Sequence, residues 1–282
     1  MEKLWDELIR LAIREDYDGY DPTSEAIFSP GHKSIGEIVA RQTGILSGTE
    51  LAERTFKIID ESLVTEILRA DGEAVNSGDS ILRVTGATRS VLAGERIALN
   101  FLMRMSGIAT ATNKLQEKLK SKGLSTRVAD TRKTTPLWRF AEKKAVRDGG
   151  GINHRMGLFD SILIKDNHIK LVGSAVEAVK RALANARHID TIEVEVTNLS
   201  EIEELLKLGV DAILLDNFRP DEVKEAVRII AGRAKVEVSG GVTPENFDDY
   251  AISGVDVISL GWLTHSAPAL NFSLEIISEV KG

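Results

Sequence analysis

Residues 2 to 15 place apolar side chains every three to four positions, Trp5, Leu8, Ile9, Ala12 and Ile13 among them, and predict an amphipathic helix. Acidic residues begin at position 2 and no compact apolar block follows a basic flank, so this is not the pattern of a signal peptide. A turn-rich stretch, DYDGYDPTSEAI, leads to IGEIVARQTGILSG, which reads as extended chain closed by glycine, and to a second helix over about 49 to 60. In ILRADGEAVNSGDSILRVTGAT short alternating runs are punctuated by Asp-Gly and Ser-Gly, the pattern of hairpins with tight turns. A long helical pattern, RSVLAGERIALNFLMRMSGIATATNKLQEKL, follows with an interruption expected at Gly107. This half predicts an α+β domain.

From about residue 125 the texture changes. Short apolar runs starting near 126, 161, 191, 212, 235 and 256 alternate with amphipathic helical patterns, which implies parallel strands joined by crossover helices. Six such units suggest an incomplete parallel (β/α) barrel, with a doubly wound sheet as the alternative. In sequence order the runs end in Asp130-Thr131-Arg132-Lys133, Lys165-Asp166-Asn167, Glu195, Asp216-Asn217, Ser239-Gly240-Gly241 and Gly261. In a barrel all of these ends face one mouth, so charges scattered along the chain converge on one cleft.

Composition narrows the chemistry. The absence of cysteine removes disulfides, thiolate nucleophiles and thiolate metal ligands, and leaves oxygen and imidazole donors, so that any metal is expected to be a hard one such as Mg2+. No run approaches the roughly 18 apolar residues of a membrane span. A net charge of −7 argues against a nucleic-acid surface. A cytoplasmic location is the default expectation. Yet residues 131 to 170 hold nine Lys and Arg against four Asp and Glu, an excess of five positive charges that leaves −12 on the remainder. A cationic segment in an acidic chain points to an anionic small ligand. For Arg139, Lys143, Lys144 and Arg147 the simpler account is the solvated side of one helix.

Arg132, Lys133, His154, Arg155 and Lys165 stand at strand ends or beside the glycine run 149 to 151, where guanidinium forks and lysine charges grip carboxylate or phosphate. Glu193 and Glu195 share one face of a strand, and with Asp216 they either pair with Lys165 as a structural network or hold Mg2+, directly or through water. In SGGVTPEN, Thr243 is expected to cap a helix with Pro244 at its first position, so that free amides cradle a phosphate, and Gly261 supplies a second set.

The strings ADTRKTTP, EKKAVRDGGGINHRMGLFDSILIKDNHI, IEVEVTN, AILLDNF, VEVSGGVTPENFDDYAISGVDVISLGWLTHS and ERIALNFLMRMSGIAT resemble the quinolinate phosphoribosyltransferase family at close to motif identity, from about residue 80 onward. The resemblance implies a type II phosphoribosyltransferase: an N-terminal α/β sandwich over 1–110, joined by 267–282, and an incomplete α/β barrel over 111–266. It implies transfer of phosphoribosyl from phosphoribosyl pyrophosphate to quinolinate with decarboxylation, Mg2+ as cofactor, and a homodimer or higher oligomer in which Arg104 enters the neighbour's site. Arg132, Lys133, His154 and Arg155 then match positions that bind the pyridine dicarboxylate, Thr131 a substrate-binding position beside them, with Lys165 close to both substrates. Glu195 and Asp216 match the acids around ribose and metal, and Lys165 joins them as catalytic candidates. Ser239, Gly240, Gly241, Leu260 and Gly261 match the phosphate loops, and His265 lies in a Thr-His-Ser signature. Two positions depart from the pattern: Leu137-Trp138 stands where glycine and an aliphatic residue are common, and Tyr20 replaces a glycine. Rival readings are a divergent homologue, an isomerase or aldolase using Lys165 as base or Schiff-base former, and a non-catalytic dicarboxylate binder.

Overall fold

The computed structural model describes residues 2–279. Within them the chain forms two compact units, one from residues 2–113, 135–150 and 267–279, the other from Lys114–Thr134 and Gly151–Ser266. In chain order, α1 (Glu2–Asp16), α2 (Pro22–Ile27), β1 (Lys33–Ala40), β2 (Gly44–Ile45), α3 (Thr49–Ile59), β3 (Val64–Ile67), β4 (Ala74–Val75) and β5 (Ser80–Ala87) lead into α4 (Thr88–Ser121), which begins in the first unit and ends in the second. After β6 (Arg127–Ala129), α5 (Arg139–Asp148) belongs to the first unit. The second unit continues through β7 (Ile162–Ile164), α6 (Asp166–Val172), α7 (Ala175–Asn185), β8 (Ile192–Val196), α8 (Ile202–Lys207), β9 (Ala212–Asp216), α9 (Pro220–Ile230), β10 (Lys235–Ser239), α10 (Phe247–Tyr250), β11 (Val257–Ser259) and α11 (Trp262–His265). Last comes β12 (Phe272–Glu279), in the first unit.

In the first unit the order β12-β1-β5-β3 makes a four-stranded sheet whose pairings are all antiparallel. Ile38 of β1 and Ile81, Leu82 and Val84 of β5 are buried together with Phe56 of α3 and Val91, Ala98, Leu99 and Leu102 of α4. Two expectations change here. The segment around Asp71-Gly72 and Ser77-Gly78 is not a run of hairpins: β3 pairs with β5, and the two residues of β4 pair with β2 instead. Nor does Gly107 interrupt α4, which runs through it unbroken. Glycine stands there because a Cβ would collide with the carbonyl oxygen of Pro268, so the residue serves close packing and not a helix break.

The six strands of the second unit pair in parallel in the order β6-β11-β10-β9-β8-β7. That order steps round the sheet without reversing. A doubly wound sheet has a reversal point, so the barrel is the architecture present. It is open between β6 and β7, where a single parallel bridge, Ala129 to Ile152, extends the β6 edge. The connection between those two strands is also the one that leaves the unit: residues 135 to 150, expected within the barrel, belong to the first unit. Outward residues of β8, Ile192, Val194 and Val196, are buried, as are the facing apolar positions of α7, α8 and α9, which is the stripe that amphipathic crossover helices supply. Among the described residues no helix is long and apolar enough to cross a membrane.

The solvated-helix reading of α5 does not hold. Lys143 is fully buried, and Lys144 pairs with Asp71 at 2.6 Å and Asp148 at 2.7 Å, so only Arg147 is exposed. Burial pushes the Lys144 ammonium down, but the Asp71 and Asp148 carboxylates raise it above its ordinary value.

Candidate active site

Strand alternation turns Glu195 of β8, Leu214 and Asp216 of β9, Glu237 and Ser239 of β10 and Ser259 of β11 into the barrel. With Leu163 and Lys165 from the end of β7 and the loops after β6 and before β7, they enclose a cavity of about 330 Å³. It brings together ten expected residues: Thr131, Arg132, Lys133, His154, Arg155, Lys165, Glu195, Asp216, Ser239 and Gly240. Leu163, Leu214, Glu237 and Ser259 were not anticipated. The signal for Glu237 was present, since in VEVS it lies two residues before Ser239 and hence on the same face.

The cationic side of this cavity is under-satisfied. Arg155 is buried, its Nη1 donates to the Ser161 carbonyl at 3.1 Å, and its Nε has no partner. The Nε of Arg132 is likewise buried without a partner. Burial and the like charge of Arg132 hold the Arg155 guanidinium below its ordinary pKa. Two enclosed guanidiniums that repel one another, each with an unused donor, make an anion site.

The acidic side begins with Lys165, whose Nζ stands 3.4 Å from Glu195 Oε2. Glu195 is enclosed while Lys165 is nearly half exposed. Burial raises the Glu195 carboxyl, Lys165 draws it down, and Asp216 pushes it up, leaving it above the ordinary range. Lys165 therefore has only a long contact to Glu195 and keeps donors for a ligand.

His154 is held from two sides. Its Nδ1 accepts the backbone N–H of Arg155 at 2.8 Å, which places the ring proton on Nε2. Nε2 then donates to Glu193 Oε2 at 3.0 Å and lies 3.5 Å from Glu237 Oε1. Behind the loop, the fully buried Asp130 accepts the backbone N–H of His154 at 3.1 Å and the side-chain amide of Asn153.

The glycine turn after β10 is built for close approach. Gly240 has φ +80°, and a Cβ there would lie 2.5 Å from Asn217 Oδ1 and 2.6 Å from Asp216 Oδ1. Gly241 follows at φ +63°. The helix expected from Thr243 is absent: α10 starts at Phe247 and has four residues, because Asn246 Oδ1 takes the Thr243 N–H at 2.8 Å and closes a turn. A phosphate here would meet turn amides and not the start of a long helix.

The remaining expected residues lie elsewhere. Gly261 packs against Lys133, where a Cβ would come within 2.8 Å of its Cδ, and against the exposed His265. Leu260 is buried and its N–H donates to Ala129. Arg104 belongs to the first unit, where its Nη2 donates to Glu142 Oε1 at 2.8 Å and its Nη1 to the Ala267 carbonyl at 3.3 Å.

Models of the quinolinate phosphoribosyl transferase N-terminal and C-terminal domains match residues 21–106 and 108–275. The chain is 41% identical over 93% of its length to a probable nicotinate-nucleotide pyrophosphorylase [carboxylating] of Bacillus subtilis, covering 90% of that protein. It is also 41% identical to the counterpart of Methanocaldococcus jannaschii, over 96% of both chains. The crystal structure of NadC from Streptococcus pyogenes superposes with a TM-score of 0.93 at 39% identity, covering 98% of this chain and 97% of that one. With its two units, its cationic barrel cavity and these relatives together, the chain belongs to the quinolinate phosphoribosyltransferase family.

Proposed function

We propose that the barrel cavity carries out the family's reaction: transfer of phosphoribosyl from phosphoribosyl pyrophosphate to quinolinate, with decarboxylation, giving nicotinate mononucleotide, pyrophosphate and CO2 in the biosynthesis of NAD. The observation that carries this assignment is the pair of enclosed guanidiniums, Arg132 and Arg155, with unused Nε donors, which suits a planar dicarboxylate.

In this reading the bond from the ribose C1′ to pyrophosphate lengthens first and the pyridine nitrogen attacks the resulting cationic carbon. The protein's work is positioning and charge stabilisation. Arg132, Lys133, His154 and Arg155 hold the dicarboxylate, Lys165 lies close to both substrates, and Ser239 with Gly240 and Gly241 takes the 5′-phosphate. Gly261, Leu260 and His265 shape the adjoining loop around Lys133, and Thr131 lines the mouth beside it. Glu195 and Asp216 contact the ribose side. Once the ring nitrogen is ribosylated, its positive charge accepts the electron pair left as the C–CO2 bond breaks, and a proton taken up at that carbon completes the product. No protein nucleophile is required.

Glu195 and Asp216 are hard oxygen donors whose charges oppose each other, a set that fits Mg2+. They would hold the ion, directly or through water, and it would supply charge neutralisation for pyrophosphate. The protein acts in the cytoplasm as a homodimer in which Arg104 reaches the neighbour's cavity, a role that its place in the first unit and its partial exposure support.

The test is to supply Mg2+, phosphoribosyl pyrophosphate and carboxyl-labelled quinolinate and to follow CO2 and nicotinate mononucleotide together. Both products, formed only with donor and metal present, are the expected result. Quinolinate binding without either product would overturn the assignment.

A further inference from the structure

Two cavities meet inside the barrel of the second unit. Besides the substrate cavity, one of about 380 Å³ opens among the strand starts, at Thr191, Ala212 and Lys235. His154, Arg155 and Glu237 line both and so form the wall between them, with Glu193 behind it. The ligand atoms of His154, Glu193 and Glu237 lie within 4.8 Å of one another. Spacing of that kind suits a metal, but the hydrogen bonds do not. With Nδ1 accepting the Arg155 N–H, the ring proton is on Nε2, and a metal at Nε2 would require an imidazolate.

We propose that Glu237, acting with Glu193, is a positioning residue: the two carboxyls lock the His154 imidazole, and through it the backbone that aims the Arg155 guanidinium at the anion pocket. The proposal rests on the reading of that pocket as the quinolinate site. The linkage is continuous, from Ser259 Oγ, which donates to Glu237 Oε1 at 2.6 Å, through the carboxyl pair to His154 Nε2, and from Nδ1 to the Arg155 N–H.

Charge counting favours one neutral carboxyl. Were both ionised, two negative charges would sit against the two guanidiniums and cancel the potential a dianionic substrate needs. Burial, and after it the neighbouring Glu193, raises the Glu237 carboxyl to about 7. Glu193 also lies near enough to the Arg155 guanidinium to favour its charged form.

The full-length protein would be compared with E237Q, E237L and S259A by kinetics and by 15N-histidine NMR, with H154A assigning the signal. Glutamine copies the neutral acid, so E237Q is expected to keep the Nε2–H tautomer and kcat/KM within about threefold. E237L is expected to mix the tautomers and raise KM for quinolinate about tenfold, leaving KM for phosphoribosyl pyrophosphate unchanged. S259A, which keeps the carboxyl pair, is expected to move quinolinate KM the same way by about threefold and decides the matter should E237L not fold. Equal damage from E237Q and E237L, equal losses for both substrates, or an Nδ1–H or imidazolium signal in the wild type would overturn the proposal. Absence of wild-type turnover would count against the quinolinate reading alone, because the tautomer is read without catalysis: its loss in E237L or S259A upholds the positioning role, and its persistence in both overturns it.

Discussion

One oxygen of Glu142 accepts both Nε and Nη2 of Arg104, at 3.3 and 2.8 Å, while the same carboxylate, fully buried, also takes the N–H and hydroxyl of Thr135. Glu142 thereby fixes the guanidinium that is proposed to serve the neighbouring subunit.

Removing the arginine alone leaves an enclosed carboxylate short of its counter-charge. Arg104→Ala is expected to abolish activity and to lower unfolding free energy by about 3 kcal/mol. Adding Glu142→Gln is expected to restore most of that stability and none of the activity, read by urea unfolding and product assay. Mixing Arg104→Ala with Lys165→Ala is expected to recover about a quarter of wild-type rate, since half of randomly assorted dimers keep one intact site. No recovery with mixed dimers confirmed would exclude a shared site.

Arg132 and Arg155 repel each other in a desolvated cavity, so the empty protein carries strain that the ligand relieves. Arg132→Met is expected to raise stability by about 1 kcal/mol while weakening quinolinate binding far more than donor binding. Thermal unfolding and calorimetric titration with each substrate check this. A loss of stability, or equal affinity losses, would contradict the assignment.

For Glu237 the sign follows from proton counts. Facing Glu193 and His154, it binds its proton in the folded state up to about pH 7, whereas in the unfolded chain it releases it near 4.5. Between those values the native state holds more protons, so this contribution is present below about pH 4.5 and is lost as pH rises through about 7, by at most about 3 kcal/mol. Denaturant midpoints across pH 5 to 8, compared between wild type and E237Q, isolate it: the difference in slope should vanish if Glu237 is ionised throughout.

Leu137 sits at φ +69°, the left-handed region, with its side chain exposed. Leu137→Gly is expected to stabilise the protein by about 0.5 to 1 kcal/mol, the relief of backbone strain exceeding the entropy glycine adds to the unfolded chain. A lower midpoint in urea would show the conformation to be unstrained.

Much of the second unit was legible because parallel strands written as IEVEV, AILLD and KVEVS advertise their period, and ten cavity residues fall at or near their ends. What escaped had local signals that tertiary packing overrode. Gly107 looks like a break in sequence and is a contact with Pro268 in space. Lys143 and Lys144 show helical charge spacing, yet Lys143 is buried and Lys144 pairs with Asp71, more than seventy residues earlier, which no periodicity reveals. Thr243-Pro244 spells a helix start, but Asn246 three residues on offers a competing side-chain bond. Glu193 and Glu237 escaped as a pair because their meeting depends on His154 lying across the barrel interior.

The path of the chain has a consequence for how this protein is made. The first unit needs α5 and β12 as well as residues 2–113, and β12 supplies the edge that pairs with β1. On the ribosome that sheet cannot gain its last strand until residue 279 has emerged, so the N-terminal sequence, translated first, is among the last to reach its finished state. A single cut at the 106/108 junction between the two family matches would separate neither unit intact.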